Sequence, residues 1–291
     1  MRILLPRSMP QQLIINADDL GLCPSVNTAI FDVFRAGNLT SATLMVHMPG
    51  TDDAVRRLKD HPGLGIGLHF CITEGRSHVG PSTLTDAQGE FRSRRELVRA
   101  ALRGKIDPND VQRELEEQLS CFKSFGVTPT HADSHQHIHM VPVVMDAMLP
   151  ILQRESLAMR VVDPPTRMVW GSLGRPRKTV KQFLSRSLAR RARKRVRVRT
   201  NDVLVSIHDL DDAGPYNAAT YAGLLRGMDS DAVVELVVHP YILGEDVKQL
   251  YGAGIVARQP FLDRCVAEYE ALRHGPVFGD AQLITFAAIR P

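Results

Sequence analysis

The sequence has no apolar run of the roughly 20 residues that a membrane-spanning helix requires, which argues against an integral membrane protein of that type. Its opening stretch, MRILLPRSMPQQ, is too short for a secretory signal and is interrupted by Pro6 and Pro10. The few cysteines form no CxxC pair, which argues against a disulfide scaffold or a zinc ribbon and fits a reducing compartment. We therefore expect a soluble cytoplasmic protein. The four cysteines are Cys23, Cys71, Cys121 and Cys265.

Aromatic residues are also scarce, at 5% of the chain, and Trp170 is the only tryptophan. Aromatic side chains are the usual stacking platforms for ring-shaped ligands, so this composition limits the number of such platforms. Trp170 is a candidate platform or a loop anchor. Hydrophobic residues make up 44% of the 291 residues, enough for a large core, which argues against a disordered chain.

Acidic residues are absent from one long segment, residues 175–199, which carries twelve basic residues. The whole chain has a formal net charge of 36 − 32 = +4, and without this segment the charge would be 24 − 32 = −8. The segment is either a solvated helix or a site for phosphate, an anionic surface or nucleic acid. Phe183 is the only aromatic residue among these cations. Single-stranded nucleic acids usually stack their bases on several aromatic side chains, so we do not expect a nucleic-acid partner. We expect an anionic surface or substrate at Arg190, Arg191, Arg193, Lys194 and Arg195.

Short β-like runs alternate with helix-like stretches along the chain. Runs such as LIIN (13–16), LGIGLHF (64–70) and AVVELVVHP (232–240) predict strands, with QLITFAAI (282–289) as a further candidate. Asn109–Phe125 is the clearest helix, since Val111, Leu115, Leu119 and Phe122 recur at helical spacing. This alternation predicts one parallel α/β domain over residues 1–291, with a basic insertion at about 170–200.

Most of the predicted strands end in aspartate or histidine. The first runs into Asp18 and Asp19, while later ones end at His47, His69, His208 and His239, and another leads into HADSHQHIH (131–139). Ligands and catalytic groups of parallel α/β sheets lie beyond the carboxyl ends of the strands. Since aspartate and histidine bind metals and transfer protons near neutral pH, the pattern predicts a functional site at this edge.

These residue types suffice for a metal-dependent hydrolase. His69, one histidine of the 131–139 cluster and one of the two aspartates would form a two-histidine, one-carboxylate ligand set. The second aspartate would remain free as a base, because adjacent side chains at an irregular strand end can point differently. The residues alone leave open which cluster histidine binds the metal.

Four blocks, IINADDLG, GLGIGLHFCITEG, PTHADSHQHIHMVP and ELVVHP, resemble those of the YdjC-like (ChbG-like) carbohydrate deacetylases, in the same order from about residue 13 to about 245. The resemblance implies an irregular TIM-barrel-like α/β fold with about seven strands. It also implies metal-dependent hydrolysis of an N-acetyl group on an amino sugar, as in chitooligosaccharide deacetylation. Two features depart from the family: the basic segment is longer and more charged than expected, and aromatic residues are few. Because of these departures, an anionic, phosphorylated or lipid-linked amino sugar is the alternative substrate.

The resemblance also implies roles for individual residues. The metal ligands fall on Asp19, His69 and His135, the proton-accepting aspartate on Asp18, and the general acid on His239. One divalent ion is expected, either Mg²⁺ or Zn²⁺, and a homodimer is the default assembly.

Each of these residues also has a structural interpretation. Asp18 or Asp19 could cap the helix that follows, and His69 could be a core histidine. His131, His137 and His139 are expected to support the site rather than to bind metal, and Asp133 to orient His135 or another ring. His47 is a candidate substrate contact, and His208 has only its position in its favour. The alternative functions are a phosphoester hydrolase, which would use two metals about 3.5–4 Å apart, and a noncatalytic sugar-binding barrel.

Overall fold

A computed structural model of the protein describes residues 12–171, 173, 175–195, 197–211, 214–279 and 281–289. Most of the opening stretch, residues 1–11, lies outside the described residues, so its interpretation as a non-signal segment stays a prediction. Among the helices of the described ranges, none combines the length and apolar character that crossing a membrane requires.

Seven parallel strands form one curled sheet in the order β5-β4-β3-β2-β1-β7-β6. The sheet is central to the fold because β1 and β7 are buried on both faces, as the apolar runs of parallel strands predict. The strands are β1 (Gln12–Leu20), β2 (Ser41–Leu44), β3 (Gly65–Phe70), β4 (His131–Ser134), β5 (Ala158–Met159), β6 (Val203–Val205) and β7 (Val233–Val238).

The two edges of the sheet approach each other. Met159 of β5 forms an isolated parallel bridge with Thr200, and its amide donates to the carbonyl of Arg199 at 2.9 Å. A second hydrogen bond of 2.9 Å joins the Leu204 amide of β6 to the carbonyl of Asp163. The curled sheet therefore encloses an interior that side chains fill, and the predicted barrel-like α/β fold with about seven strands is confirmed.

Helices follow the strands and pack around the sheet. The predicted helix at 109–125 is α4, which begins at Pro108 behind an Asp107 side-chain cap and buries the four predicted apolar residues. The helices are α1 (Pro24–Arg35), α2 (Thr51–Leu58), α3 (Arg94–Leu102), α4 (Pro108–Ser124), α5 (Pro142–Arg154), α6 (Thr166–Gly171), α7 (Pro176–Arg195), α8 (Ala218–Leu225), α9 (Glu245–Tyr251) and α10 (Ile255–Leu272).

The strand predicted at 282–289 does not form. Leu283 makes only an isolated bridge with Leu13, and Phe286–Ala288 is a 3-10 turn. The turn directs the Phe286 ring inward, where it stacks on His131 with ring centroids 3.9 Å apart. Packing of this aromatic ring against the interior replaces the pairing that the local β pattern predicts.

The basic segment forms α7, between β5 and β6. Ala189 and Ala192 are its buried small residues, and they allow the helix to lie against the body while its cations face outward. The N-terminal half of α7 lies at the edge where the strands end, and its C-terminal half runs beside α5, where Arg191 contacts Asp146.

Candidate active site

The site begins where β1 becomes irregular. The pairing of β1 with β2 shifts register between Ala17 and Leu20, and Asp19 adopts a left-handed backbone with φ of 67°. Adjacent residues of a regular strand point to opposite faces, but this bulge lets Asp18 and Asp19 both serve one site with different partners. Gly21, with φ of 88°, completes the turn, since a Cβ there would lie 2.6 Å from the carbonyl oxygen of Met45.

Asp19, His69 and His135 converge. Asp19 Oδ1 lies 3.3 Å from His69 Nε2 and 3.0 Å from His135 Nδ1, and one ligand atom from each residue lies within 4.8 Å of the others. Ligands bonded at about 2.1 Å to one ion lie about 3.0–3.4 Å apart, so the three side chains fit a metal ion. His135 Nε2 is buried without a hydrogen-bond partner among the described residues. The hydroxyl of Tyr241 donates to Asp19 Oδ2 at 2.6 Å and holds that carboxylate in place.

Asp133 orients His69, and not His135. Its Oδ1 lies 2.7 Å from His69 Nδ1, which turns Nε2 of the same ring toward Asp19. Strand register sets this pairing, because His69 of β3 and Asp133 of β4 are direct partners. A carboxylate on the second ring nitrogen of a histidine is the usual support for a metal ligand. Burial alone would lower the pKa of His69, but Asp133 and Asp19 raise it to about 10, so the ring lies where positive charge is stabilised.

A buried arginine holds the second aspartate. Arg160 is fully buried and forms a fork with Asp18, with Nη1 2.8 Å from Oδ2 and Nη2 2.6 Å from Oδ1. The same guanidinium contacts Asp133 and places its Nε 2.8 Å from Glu235 Oε1. Burial raises the pKa of Asp18, but the charge of Arg160 and its hydrogen bonds, together with His69, bring it well below the usual value. Asp18 is therefore ionised at neutral pH.

The sequence interpretation did not identify Arg160 or Glu235. Each is a charged residue within a short, otherwise apolar run of the sequence, and this interruption was the available signal. The runs are MRVVD (159–163) and AVVELVVHP (232–240). A buried charge requires a partner, and these two are 75 residues apart in the chain. Three buried carboxylates, those of Asp18, Asp133 and Glu235, contact the single guanidinium, and a fourth, that of Asp19, is buried beside His69 and His135. A bound cation would offset the remaining negative charge.

His239 lies next to Asp18, with Nε2 3.8 Å from Asp18 Oδ2. Its backbone amide donates to Glu268 Oε2 at 2.6 Å, and its Nδ1 is buried with no partner in the described ranges. Burial lowers the pKa of His239, although both aspartates oppose this change. The ring packs edge-on against His208, which itself stacks on Phe261 at 4.9 Å, so His208 joins the site as a neighbour of His239.

The remaining histidines have separate positions. His131 lies in the sheet interior, where its Nε2 is 3.2 Å from Asn16 Oδ1, and Asn16 in turn donates to Asp18. His139 contacts the hydroxyl of Ser134 through Nδ1, at 2.6 Å. His137 lines the cavity described next. His47 does not line it and instead contacts Glu117 through Nε2, at 2.7 Å.

All five predicted site residues line one cavity of about 1180 Å³ at the carboxyl ends of the strands. Trp170 does not line it and is 61% exposed on α6, so the described structure does not place it as a sugar platform. Phe261, Tyr241 and Tyr251 are the aromatic side chains in the cavity wall among the described residues.

Three of the five cations predicted to bind an anionic partner are already in ion pairs. Arg191 and Arg195 both contact Asp146, and Arg193 contacts Asp163. Arg190 and Lys194 are exposed, and neither has an ion-pair partner within the described part of the chain. The five cations therefore face two carboxylates and keep an excess of positive charge, with Arg190 and Lys194 unpaired in the described ranges.

Comparison with known proteins adds a family and a fold. A carbohydrate deacetylase of Geobacillus stearothermophilus is 45% identical over 154 residues, which are 53% of this chain and 61% of the relative. A chitooligosaccharide deacetylase of Yersinia pestis (strain Pestoides F) is 38% identical over 154 residues, 53% of this chain and 60% of the relative. The chain thus spans about three fifths of the length of these curated relatives.

A crystal structure from Enterococcus faecalis V583, described as a candidate cellobiose-phosphate cleavage protein, superposes with a TM-score of 0.74. The superposition covers 95% of this chain and 98% of the Enterococcus faecalis chain. Because the two sequences are only 19% identical, the similarity shows the fold alone. The family model described as YdjC-like protein matches residues 12–276. Since that match extends over most of the chain, the protein belongs to the YdjC-like family.

Proposed function

We propose that the protein is a metal-dependent N-deacetylase that releases acetate from an N-acetylated amino sugar. The observation that carries the proposal is the convergence of Asp19, His69 and His135 at a cavity that also contains Asp18 and His239. The two relatives are a carbohydrate deacetylase and a chitooligosaccharide deacetylase, which supports a sugar as the substrate. The family match over residues 12–276 supports a single deacetylase domain, in which α6 and α7 are the insertion.

Asp19, His69 and His135 would hold one divalent cation. Two imidazoles and one carboxylate favour Zn²⁺ or another transition metal, while Mg²⁺ is the other candidate. When bound, such an ion polarises a carbonyl oxygen and lowers the pKa of a bound water, to about 7 in zinc sites. Tyr241 and Asp133 would fix the orientation of two of the ligands, through their hydrogen bonds to Asp19 and His69.

Asp18 would act as the base. It is ionised, because Arg160 stabilises its carboxylate, and it borders the cavity beside the ligand set. It would accept one proton of the attacking water while the oxygen of that water bonds to the acetyl carbon. The fork with Arg160 holds the carboxylate in one orientation, which a positioned base requires.

His239 would act as the acid. The carbon–nitrogen bond breaks, the nitrogen takes a proton from His239, and the products are acetate and a free amino sugar. Burial lowers the pKa of His239, which makes its protonated form a stronger acid, while the nearby carboxylates of Asp18 and Asp19 favour that protonated form. Its Nε2 lies 3.8 Å from Asp18 Oδ2, so the base and the acid border the same small volume.

A two-metal phosphoester hydrolase is less well supported. A second metal would need a second group of ligand atoms beside Asp19, His69 and His135. The candidate group is Asp18, His69 and Asp133, and it shares His69 with the first group. Both of its carboxylates already contact Arg160, whose charge stands where a second cation would bind. These contacts favour one metal, as the deacetylase chemistry requires.

The test is acetate release from a panel of N-acetylated sugars, with and without a chelator. We expect release from at least one amino sugar, loss of release with chelator, and recovery when a divalent ion is added. Phosphate release from sugar phosphates without acetate release would instead assign the phosphoester reaction. Binding of sugars with neither product would assign a noncatalytic role.

A further inference from the structure

Most of the exposed surface of the cavity wall is apolar. Beyond the polar residues at the strand ends, α3, the turn after β4 and α7 contribute aliphatic side chains, together with polar ones such as Arg94, Gln136 and Lys181. At about 1180 Å³ the cavity exceeds the roughly 300–1,000 Å³ of most small-ligand sites, so it has room for more than one sugar ring. The hydrogen-bonding groups that further sugar units would need make up the smaller share of this surface. The aliphatic residues include Val98, Leu102, Met140, Val180, Leu184 and Leu188.

The apolar surface continues out of the cavity onto its rim. Leu102, Val180 and Leu184 line the cavity and are also 83%, 66% and 57% exposed. Val256, which is 78% exposed, precedes the cavity residue Ala257 on α10. Large apolar side chains around one opening form a patch of the kind that marks a binding surface for another apolar body.

On α7 this patch passes into a row of cations. Val180, Leu184, Arg191 and Lys194 lie on one face at helical spacing, with Ser187 between them, and Phe183 and Arg190 flank the same face. Phe183 is 46% exposed. Val180 and Lys194 are about 21 Å apart along the helix axis at 1.5 Å per residue. The exposed face of α7 is therefore apolar beside the cavity and basic at its far end.

We infer that the protein deacetylates an amino sugar carried on an apolar anchor, and that the exposed face of α7 lies on the anionic membrane surface that holds this substrate. The aliphatic wall receives the anchor while the acetamido group reaches the strand ends. Apolar residues beside cations fit the boundary between acyl chains and anionic headgroups. The inference rests on the proposed deacetylase function and names its substrate class.

Charge favours this occupant over a second copy of the chain. Two α7 helices packed through the same face would bring the cations of one against either the cations or the apolar residues of the other. Like charges in an interface cost free energy, whereas anionic headgroups complement both parts of the face.

The first experiment compares soluble glycosides of N-acetylglucosamine that differ in anchor length, methyl against octyl, by acetate release. We expect kcat/KM at least tenfold higher for the octyl glycoside, because each buried methylene adds apolar contact. A Leu184→Ser variant should reduce this ratio. Equal kcat/KM values for the two glycosides, or a preference for a chitin oligomer over both, would overturn the inference and leave the deacetylase function intact. If neither glycoside nor any other N-acetyl sugar releases acetate, the proposed function fails, and the inference fails with it.

The second experiment measures sedimentation with vesicles of phosphatidylcholine alone or with phosphatidylglycerol. We expect binding to the anionic vesicles that weakens at high salt, since charges are screened over about 8 Å at physiological ionic strength. Replacement of Phe183 by Ser and of Arg190 and Lys194 by Gln should reduce this binding at least tenfold.

A matched control removes one exposed apolar residue and two exposed cations at the opposite end of the sheet, through Leu283→Ser, Lys59→Gln and Arg226→Gln. It should bind as the parent does, and thermal unfolding checks that both variants fold. Equal binding by the two variants, or no binding to anionic vesicles, would contradict the inference. If the parent and the control variant form a dimer and the α7 variant does not, the exposed face of α7 would be an interface with a second copy. That result would also overturn the inference.

Discussion

Replacement of Asp18 by Asn tests the assignment of the two adjacent aspartates. In the parent, Asp18 accepts three short hydrogen bonds, from both Nη atoms of Arg160 and from Asn16 Nδ2 at 2.9 Å. The Asn side chain keeps an oxygen at the Oδ1 position, which can still accept from Arg160 Nη2 and Asn16 Nδ2. At the Oδ2 position it places an amide NH₂ against Arg160 Nη1, and that hydrogen bond is lost. If Asp18 is the base, kcat should fall by about 10²–10⁴, the usual contribution of a positioned base. Metal affinity should stay within a few fold, because in the proposed site Asp19 supplies the ligand oxygen.

The same substitution should lower stability. One charge-assisted hydrogen bond is lost, worth about 1.5–3 kcal/mol. The free energy of unfolding should fall by no more than about 3–5 kcal/mol, the cost of breaking a buried ion pair, because the hydrogen bond at the Oδ1 position survives. The pKa of Asp18 is lower in the folded protein than its usual value of 3.8. Its carboxylate therefore stabilises the fold above that pH, and the stability difference between parent and variant should narrow as the pH falls below about 4.

Asp133→Asn is the matched control, because Asp133 shares the Arg160 contact but faces His69 and not the base position. It should also destabilise the fold, and it should weaken metal binding by about 10–100-fold. With saturating metal its kcat should fall less than that of Asp18→Asn. The assays are calorimetric metal titration, urea unfolding at several pH values, and acetate release. If Asp18→Asn abolishes metal binding, Asp18 is a ligand and the roles of the two aspartates must be exchanged; an unchanged kcat would refute the base role.

Three further predictions follow from the same contacts. Removal of the metal by a chelator should lower the Tm, and readdition should restore it in a concentration-dependent way, as calorimetry would show; His69→Ala should remove that dependence. Tyr241→Phe removes the hydroxyl that fixes Asp19 and should weaken metal binding by about 10–100-fold with the fold retained, whereas an unchanged affinity would exclude an orienting role. Glu268→Gln tests a pH dependence. Burial raises the pKa of Glu268 to about 8, so between about pH 4.5 and 8 the folded state binds more protons than the unfolded state. The free energy of unfolding of the parent should therefore fall as the pH rises through this range. The variant should lose this decline, which urea unfolding at pH 5 and pH 8 would measure; a parallel decline in both proteins would contradict the assignment.

The sequence alone predicted a cluster of aspartates and histidines and its place at one edge of the sheet. The alternation of strands and helices predicts parallel strands, and parallel strands bring their carboxyl ends to one edge. For that reason the sequence pattern is enough to group Asp18, Asp19, His69 and His239, although they come from distant blocks of the chain. The choice of His135 within its cluster came from the family resemblance, and the structure brings its ring to Asp19.

Tertiary structure decided the contacts that make these residues a site. The register of β3 against β4 places Asp133 on His69 and not on His135. The curvature of the sheet brings Arg160 and Glu235 together across its interior, and inward packing of Phe286 replaces a predicted strand. Five cations of α7 were predicted to bind an anionic surface or substrate, and three of them form ion pairs with aspartates of the body. Within the described ranges, Arg190 and Lys194 are the two that remain unpaired. Local patterns encode which face of an element is buried, but a contact between distant side chains depends on register and packing, and these are set only when the elements assemble.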